Sequence, residues 1–145
     1  MPEEINRLVT DALAAYLFTT SRDADENLKR EGVPAEKIHF VGNVMIDTLM
    51  ASAREAEGST IRAEMGLGGE YALLTLHRPS NVDDARPLQG IFRGLERLAA
   101  RIPVVFPAHP RTARMLAEFG VSTGFPGMRL VEPLGYLDFI HLEKH

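Results

Sequence analysis

Two histidines stand where short apolar runs stop. Leu73-Leu74-Thr75-Leu76 runs into His77-Arg78-Pro79, and Val104-Val105-Phe106-Pro107-Ala108 runs into His109-Pro110. An imidazole beside a guanidinium combines a titratable donor with a planar fork, and that pair suits phosphate oxygens. His109 lies just ahead of an expected helix start, where free backbone N–H groups also favour an anion. Each has a plainer reading. His77-Arg78 can be a surface pair in a turn. His109 can cap its helix or pack on Pro110.

Other groups capable of chemistry are weaker on spacing alone. Glu3 and Arg7 stand four apart, with Glu4 beside them. Such pairs are normally solvated ion pairs worth a few tenths of a kcal/mol, roughly. His141 and His145 are also four apart, with Glu143 between them. That is not H-E-x-x-H, and two ligands do not make a zinc site. No metal is expected. His39 sits in a strand without a visible partner and reads as structural. Gly66-Leu67-Gly68-Gly69 does not follow a strand and open a helix, so it is a poor phosphate loop.

The elements that must position these residues alternate. A helix is predicted over 1–15 from the stripe Ile5, Leu8, Val9, Ala12 and Leu13. A strand follows over 16–20, then a helix over 22–31 capped by Thr20 or Ser21 and stopped by Gly32. Strand 38–41 leads through Gly42-Asn43 to a helix carrying Ile46, Leu49, Met50 and Ala53. A short helix is expected over 61–65 and a strand over 71–76. The clearest stripe is Leu88, Ile91, Phe92, Leu95 and Leu98. Strand 103–108, helix 111–119, strand 129–132 and a last helix complete the chain. Mostly apolar strands alternating with helices indicate an α/β fold with a parallel sheet covered on both faces. Ligands of such sheets bind beyond the C-terminal strand ends. That rim is expected to carry Thr20, His77, Arg78, His109 and Glu132.

Composition narrows the classes. The 145 residues carry a net charge of −4, with 45% apolar and 25% charged residues. An acidic chain is a poor sequence-independent binder of nucleic acid. There is no cysteine, hence no thiolate chemistry and no disulfide, which is compatible with a cytoplasmic setting. No apolar run reaches the ~20 residues of a membrane span.

Five segments in order carry a family resemblance: Pro2-Glu3-Glu4-Ile5-Asn6-Arg7, Gly42-Asn43-Val44-Met45-Ile46-Asp47, Leu76-His77-Arg78, Pro107-Ala108-His109-Pro110 and Glu132-Pro133-Leu134-Gly135-Tyr136-Leu137-Asp138-Phe139. Together they make the chain resemble the non-hydrolysing bacterial UDP-N-acetylglucosamine 2-epimerases. The resemblance implies Rossmann-like parallel sheet layers in a GT-B-like architecture, incomplete here. Residues 1–43 would be the C-terminal part of the first domain, and residues 44–145 the N-terminal half of the second, UDP-binding domain. The family's upstream phosphate-contacting segment and downstream D-S-G-G segment lie outside these residues, so this piece alone is expected to be inactive. The implied reaction converts UDP-GlcNAc to UDP-ManNAc by eliminating UDP and adding it back, with no cofactor.

By the same resemblance Glu3 is a catalytic carboxylate, which reverses its reading as one half of an ion pair, and His77 aids departure of the diphosphate. Arg7, Leu134 and Phe139 bind substrate, the last two at the uracil. Glu4, Arg78 and His109 match positions that contact a second, activating UDP-GlcNAc. The full-length family protein is expected to be a homodimer. A GT-B glycosyltransferase using a UDP-sugar and a non-catalytic UDP-binding module are the alternatives.

Overall fold

The structure is a computed structural model that describes residues 2–145. These form two compact units, one ending at Ala51 and one running from Ser52 to His145.

The first unit opens with α1 (Pro2–Leu13). Proline suits a first helical position, and Glu3 and Glu4 lie in the first turn, where the helix dipole favours anions. β1 (Leu17–Thr19) and β2 (Ile38–Phe40) pair in parallel, with Leu17 opposite Ile38. Between them runs α2 (Arg22–Arg30), capped by Ser21, whose hydroxyl accepts the Ala24 N–H at 3.3 Å. Leu17 and Leu28 are buried, and so are Thr19 and Asp25. The Thr19 hydroxyl donates to the Asp25 carboxylate, and Arg22 reaches the same carboxylate at 3.2 Å. Gly42, at φ 79°, turns the chain out of β2 in a conformation that favours glycine. α3 (Val44–Ala56) follows and contains the division between the units. Its stripe of Ile46, Leu49 and Met50 is exposed rather than packed.

The second unit contains α4 (Ile61–Glu64), β3 (Ala72–Leu73), α5 (Pro79–Val82), α6 (Ala85–Ala99), β4 (Val104–Pro107), α7 (Pro110–Glu118), β5 (Met128–Val131) and α8 (Tyr136–Lys144). Its three strands are parallel in the order β3-β4-β5. β4 is central, and Val104, Val105 and Phe106 are fully buried. On one face Phe106 packs with Leu76, Val82, Leu88, Phe92, Ala108 and Leu116. On the other Val105 packs with Ile61, Leu67 and Leu142. That is the two-sided cover expected of apolar strands in a parallel sheet.

Two expectations are corrected. The strands form two separate sheets, so Thr20, which follows β1, does not share the sheet edge of His77. The stripe from Leu88 to Leu98 lies on α6, which is capped by Asp84 accepting the Arg86 N–H at 2.9 Å and is preceded by the separate short helix α5. The strand expected over 71–76 is paired only at Ala72 and Leu73. Ala72 and Leu74 donate to the carbonyls of Pro103 and Val105 at 2.8 Å. In a parallel ladder the next bond needs an N–H from residue 107. That residue is proline and has none, so β3 leaves the ladder there.

Gly127 shows the other place where backbone geometry decides. It precedes β5 with φ 84°, and its carbonyl accepts the Val104 N–H at 2.8 Å. A Cβ there would lie 2.2 Å from the Ala99 carbonyl oxygen.

Candidate functional site

The second unit gathers three strand ends at one edge of its sheet. Leu73 is opposite Val105 in the ladder. His77 lies four residues beyond the first and His109 four beyond the second. Val131 is opposite Pro107, and Glu132 comes next. Parallel pairing therefore brings His77, Arg78, His109 and Glu132 to the same edge, and all four are exposed. Arg78 is also the residue before α5, with Pro79 in its first turn.

His109 caps α7. Its Nδ1 accepts the Arg111 N–H at 3.2 Å. A neutral His109 must then carry its proton on Nε2, which remains a donor. The capping reading of His109 is thus realised, and it leaves the second nitrogen available to an anion. Arg111 itself places Nη2 2.7 Å from each Asp83 carboxylate oxygen. In the first turn of α7, the buried Thr112 hydroxyl donates to the Leu76 carbonyl at 3.1 Å. Asp83, Arg111 and Thr112 were not legible as site residues. The only sequence signal was a hydroxyl residue three places after a strand-end histidine.

The Leu134–Phe139 segment enters α8. Leu134 is half-buried against the cluster of Ile61, Leu67, Val105 and Leu142. Asp138 accepts from the Ser59 hydroxyl at 2.6 Å, which anchors the first turn of α8. Phe139 lines a cavity of about 360 Å³ with Tyr71, Leu73, Thr75, Leu142, Glu143 and His145. The Tyr71 hydroxyl donates to the Leu142 carbonyl at 2.6 Å, and burial pushes its pKa up.

Glu3, Glu4 and Arg7 lie in the first unit. The expected Glu3–Arg7 pair is replaced. Arg7 binds Glu4 at 2.7 Å, Asp11 at 2.7 Å and Glu31 of α2 at 2.7 Å. The guanidinium beside Glu4 holds that carboxyl below its usual range, and the hydrogen bonds that Arg7 donates to Glu4 and Glu31 raise its own pKa. Glu3 is exposed and stands outside these pairs. Glu4, Arg7, Asp11 and Glu31 line a cavity of about 660 Å³ together with Leu17, Phe18 and Thr19.

The remaining histidines are engaged structurally. His39 packs against the rings of Tyr16 and Phe18, 5.5 and 5.8 Å between centroids. His141 places Nδ1 2.8 Å from the Ala56 carbonyl, and His145 places Nε2 3.3 Å from Glu57. Gly66 ends α4 at φ 57°, so the glycine-rich loop joins a helix to a strand. Among the described residues, no helix is long and apolar enough to cross a membrane.

A family profile described as UDP-N-acetylglucosamine 2-epimerase matches residues 1–145. A UDP-N-acetylglucosamine 2-epimerase of Methanocaldococcus jannaschii is 38% identical over all of this chain and 42% of its own length. A UDP-2,3-diacetamido-2,3-dideoxy-D-glucuronate 2-epimerase of Pseudomonas aeruginosa is 38% identical over 98% of this chain and 39% of its own. The crystal structure of the M. jannaschii enzyme in complex with UDP-GlcNAc and UDP superposes with a TM-score of 0.83, covering 99% of this chain and 42% of that one. The chain thus spans about two-fifths of the length of these relatives.

Proposed function

The chain belongs to the UDP-N-acetylglucosamine 2-epimerase family, and we propose that it is the part of such an enzyme that grips the diphosphate and uridine of the substrate. Residues 1–43 supply the end of a first GT-B-like domain, with Glu3. Residues 44–145 supply the beginning of the second. The observation that carries this reading is the edge where His77, Arg78 and His109 stand together, with Leu134 and Phe139 following β5.

The chemistry asks three things of the parent protein. A carboxylate must take the C2 proton of UDP-GlcNAc. The C1–O bond must break, its electron pair leaving on the UDP oxygen, so that a C1=C2 double bond forms. UDP must then add back as a proton returns to C2 from the opposite face. Glu3 is assigned as one of the carboxylates that move the C2 proton, and His77 to the charge that develops on the departing diphosphate, which a positioned donor stabilises. Arg7 contacts substrate, and Leu134 and Phe139 hold the uracil. Arg78 and His109 with Glu4 take a second UDP-GlcNAc that activates the enzyme. The reading places the parent protein in the cytoplasm as a homodimer.

A second reading concerns the sugar. The P. aeruginosa relative is named for a substrate with a C3 acetamido group and a C6 carboxylate. His77 and the uracil segment would serve either sugar, because both donors carry the same UDP.

Both readings are tested by incubating UDP-GlcNAc, and separately the diacetamido uronate, with a longer protein containing this chain. Proton NMR in D2O follows C2 exchange and the appearance of the 2-epimer. Epimerisation is expected, with Glu3→Gln and His77→Ala each costing about a hundredfold or more in kcat. Release of UDP only when a sugar acceptor is added would replace the epimerase by a glycosyltransferase. The 145-residue chain by itself is expected to bind UDP without turnover, and turnover by it alone would overturn this division of labour.

A further inference from the structure

Leu76 is the last buried residue before His77, at 9% exposure. Its carbonyl lies beyond the β3–β4 ladder, which ends for want of an N–H on Pro107. A buried carbonyl needs a donor. The structure gives it the Thr112 hydroxyl at 3.1 Å, on a residue only 2% exposed. At the other end of the same loop, Asp83 is tied to Arg111 at 2.7 Å. The segment from Leu76 to Asp83 carries His77 and Arg78. It is therefore held at both ends by adjacent residues of the first turn of α7. His109 caps that same helix.

We propose that Thr112 is a positioning residue for His77, and that Arg111 with Asp83 forms a second tie on the same loop. One helical turn then sets the histidines of two strand ends relative to each other. The inference rests on reading this edge as a diphosphate site. A purely structural Thr112 would affect stability and leave the His77 environment and ligand affinity of the folded protein unchanged.

Three variants of the 145-residue chain separate these accounts. Thr112→Val keeps the shape and removes the donor. Thr112→Ser keeps the donor. Asp83→Asn weakens the exposed tie without entering the core. Two quantities are read in the folded proteins: the His77 imidazole signals by NMR and the Kd for UDP by calorimetry. Thr112→Val is expected to move the His77 signals and weaken UDP about three- to tenfold, the loss of one hydrogen bond. Thr112→Ser should restore both, and Asp83→Asn should move the same signals by less. A folded Thr112→Val protein with unmoved His77 signals overturns the proposal. Should that variant not fold, unmoved signals in Asp83→Asn overturn it and moved ones support it. If the unaltered chain does not bind UDP, the diphosphate reading fails separately, and the His77 signals still decide the role of Thr112.

Discussion

Asp25 is a buried carboxylate of the first unit, and its environment makes a pH prediction. The Thr19 hydroxyl, opposed by burial and helped by Arg22, holds its carboxyl below the usual carboxylate range. A group whose folded pKa is depressed stabilises the fold above its unfolded value, about 3.9 for aspartate. That contribution is lost as pH falls through the folded value. Melting temperatures of the native chain and Asp25→Asn should therefore differ most near neutral pH and converge as pH falls below about 4. Two parallel curves from pH 7 to pH 2 would rule the coupling out. Arg7 shows how local spacing misleads at this scale. A partner four residues away was expected, but the guanidinium also takes Glu31, twenty-four residues on. Its three carboxylate partners are Glu4, Asp11 and Glu31, and under the proposed function an incoming anion competes with them.

Elements begin and end where backbone donors run out or φ turns positive. α6 buries Leu88 and Phe92, the stripe that periodicity marks. β5 depends on Gly127 in another way. A side chain there meets the Ala99 carbonyl, and the left-handed φ is costly for any other residue. Gly127→Ala should lose about 2–4 kcal/mol of stability in urea titrations. A change within about 0.5 kcal/mol, the range of an ordinary surface substitution, would show that the turn before β5 relaxes freely. At β3 the same logic runs through Pro107, whose missing N–H frees Leu76 to turn toward α7.

Over the whole molecule the two units are unequally packed. The second has a central strand with three fully buried residues. The first buries Leu17 and Leu28, and α1 buries none of its residues. Ile5, Val9 and Leu13 are 64%, 55% and 82% exposed, although their spacing predicts a core-facing stripe. Amide exchange should follow burial, with β4 protected at least about tenfold more than β1 and β2, and α1 exchanging fastest among the long helices. Equal protection across both units would show that stability is not set by these separate cores.

What the sequence by itself determined is local. Helix stripes, the Ser21 cap, the proline at the start of α7, and glycines at the ends of helices and strands all depend on residues within about one turn of each other. The α/β class and the strand-end placement of His77 and His109 follow from the same local patterns. The family resemblance was legible in five short segments that occur in order. The tertiary structure alone decided which edge of β4 the Pro107 ring faces. It also gave Arg7 to Glu31 and joined Thr112 to the Leu76 carbonyl. Both bonds join residues of different elements that only the packing of the folded chain brings together, and the spacing within a single segment does not contain that information.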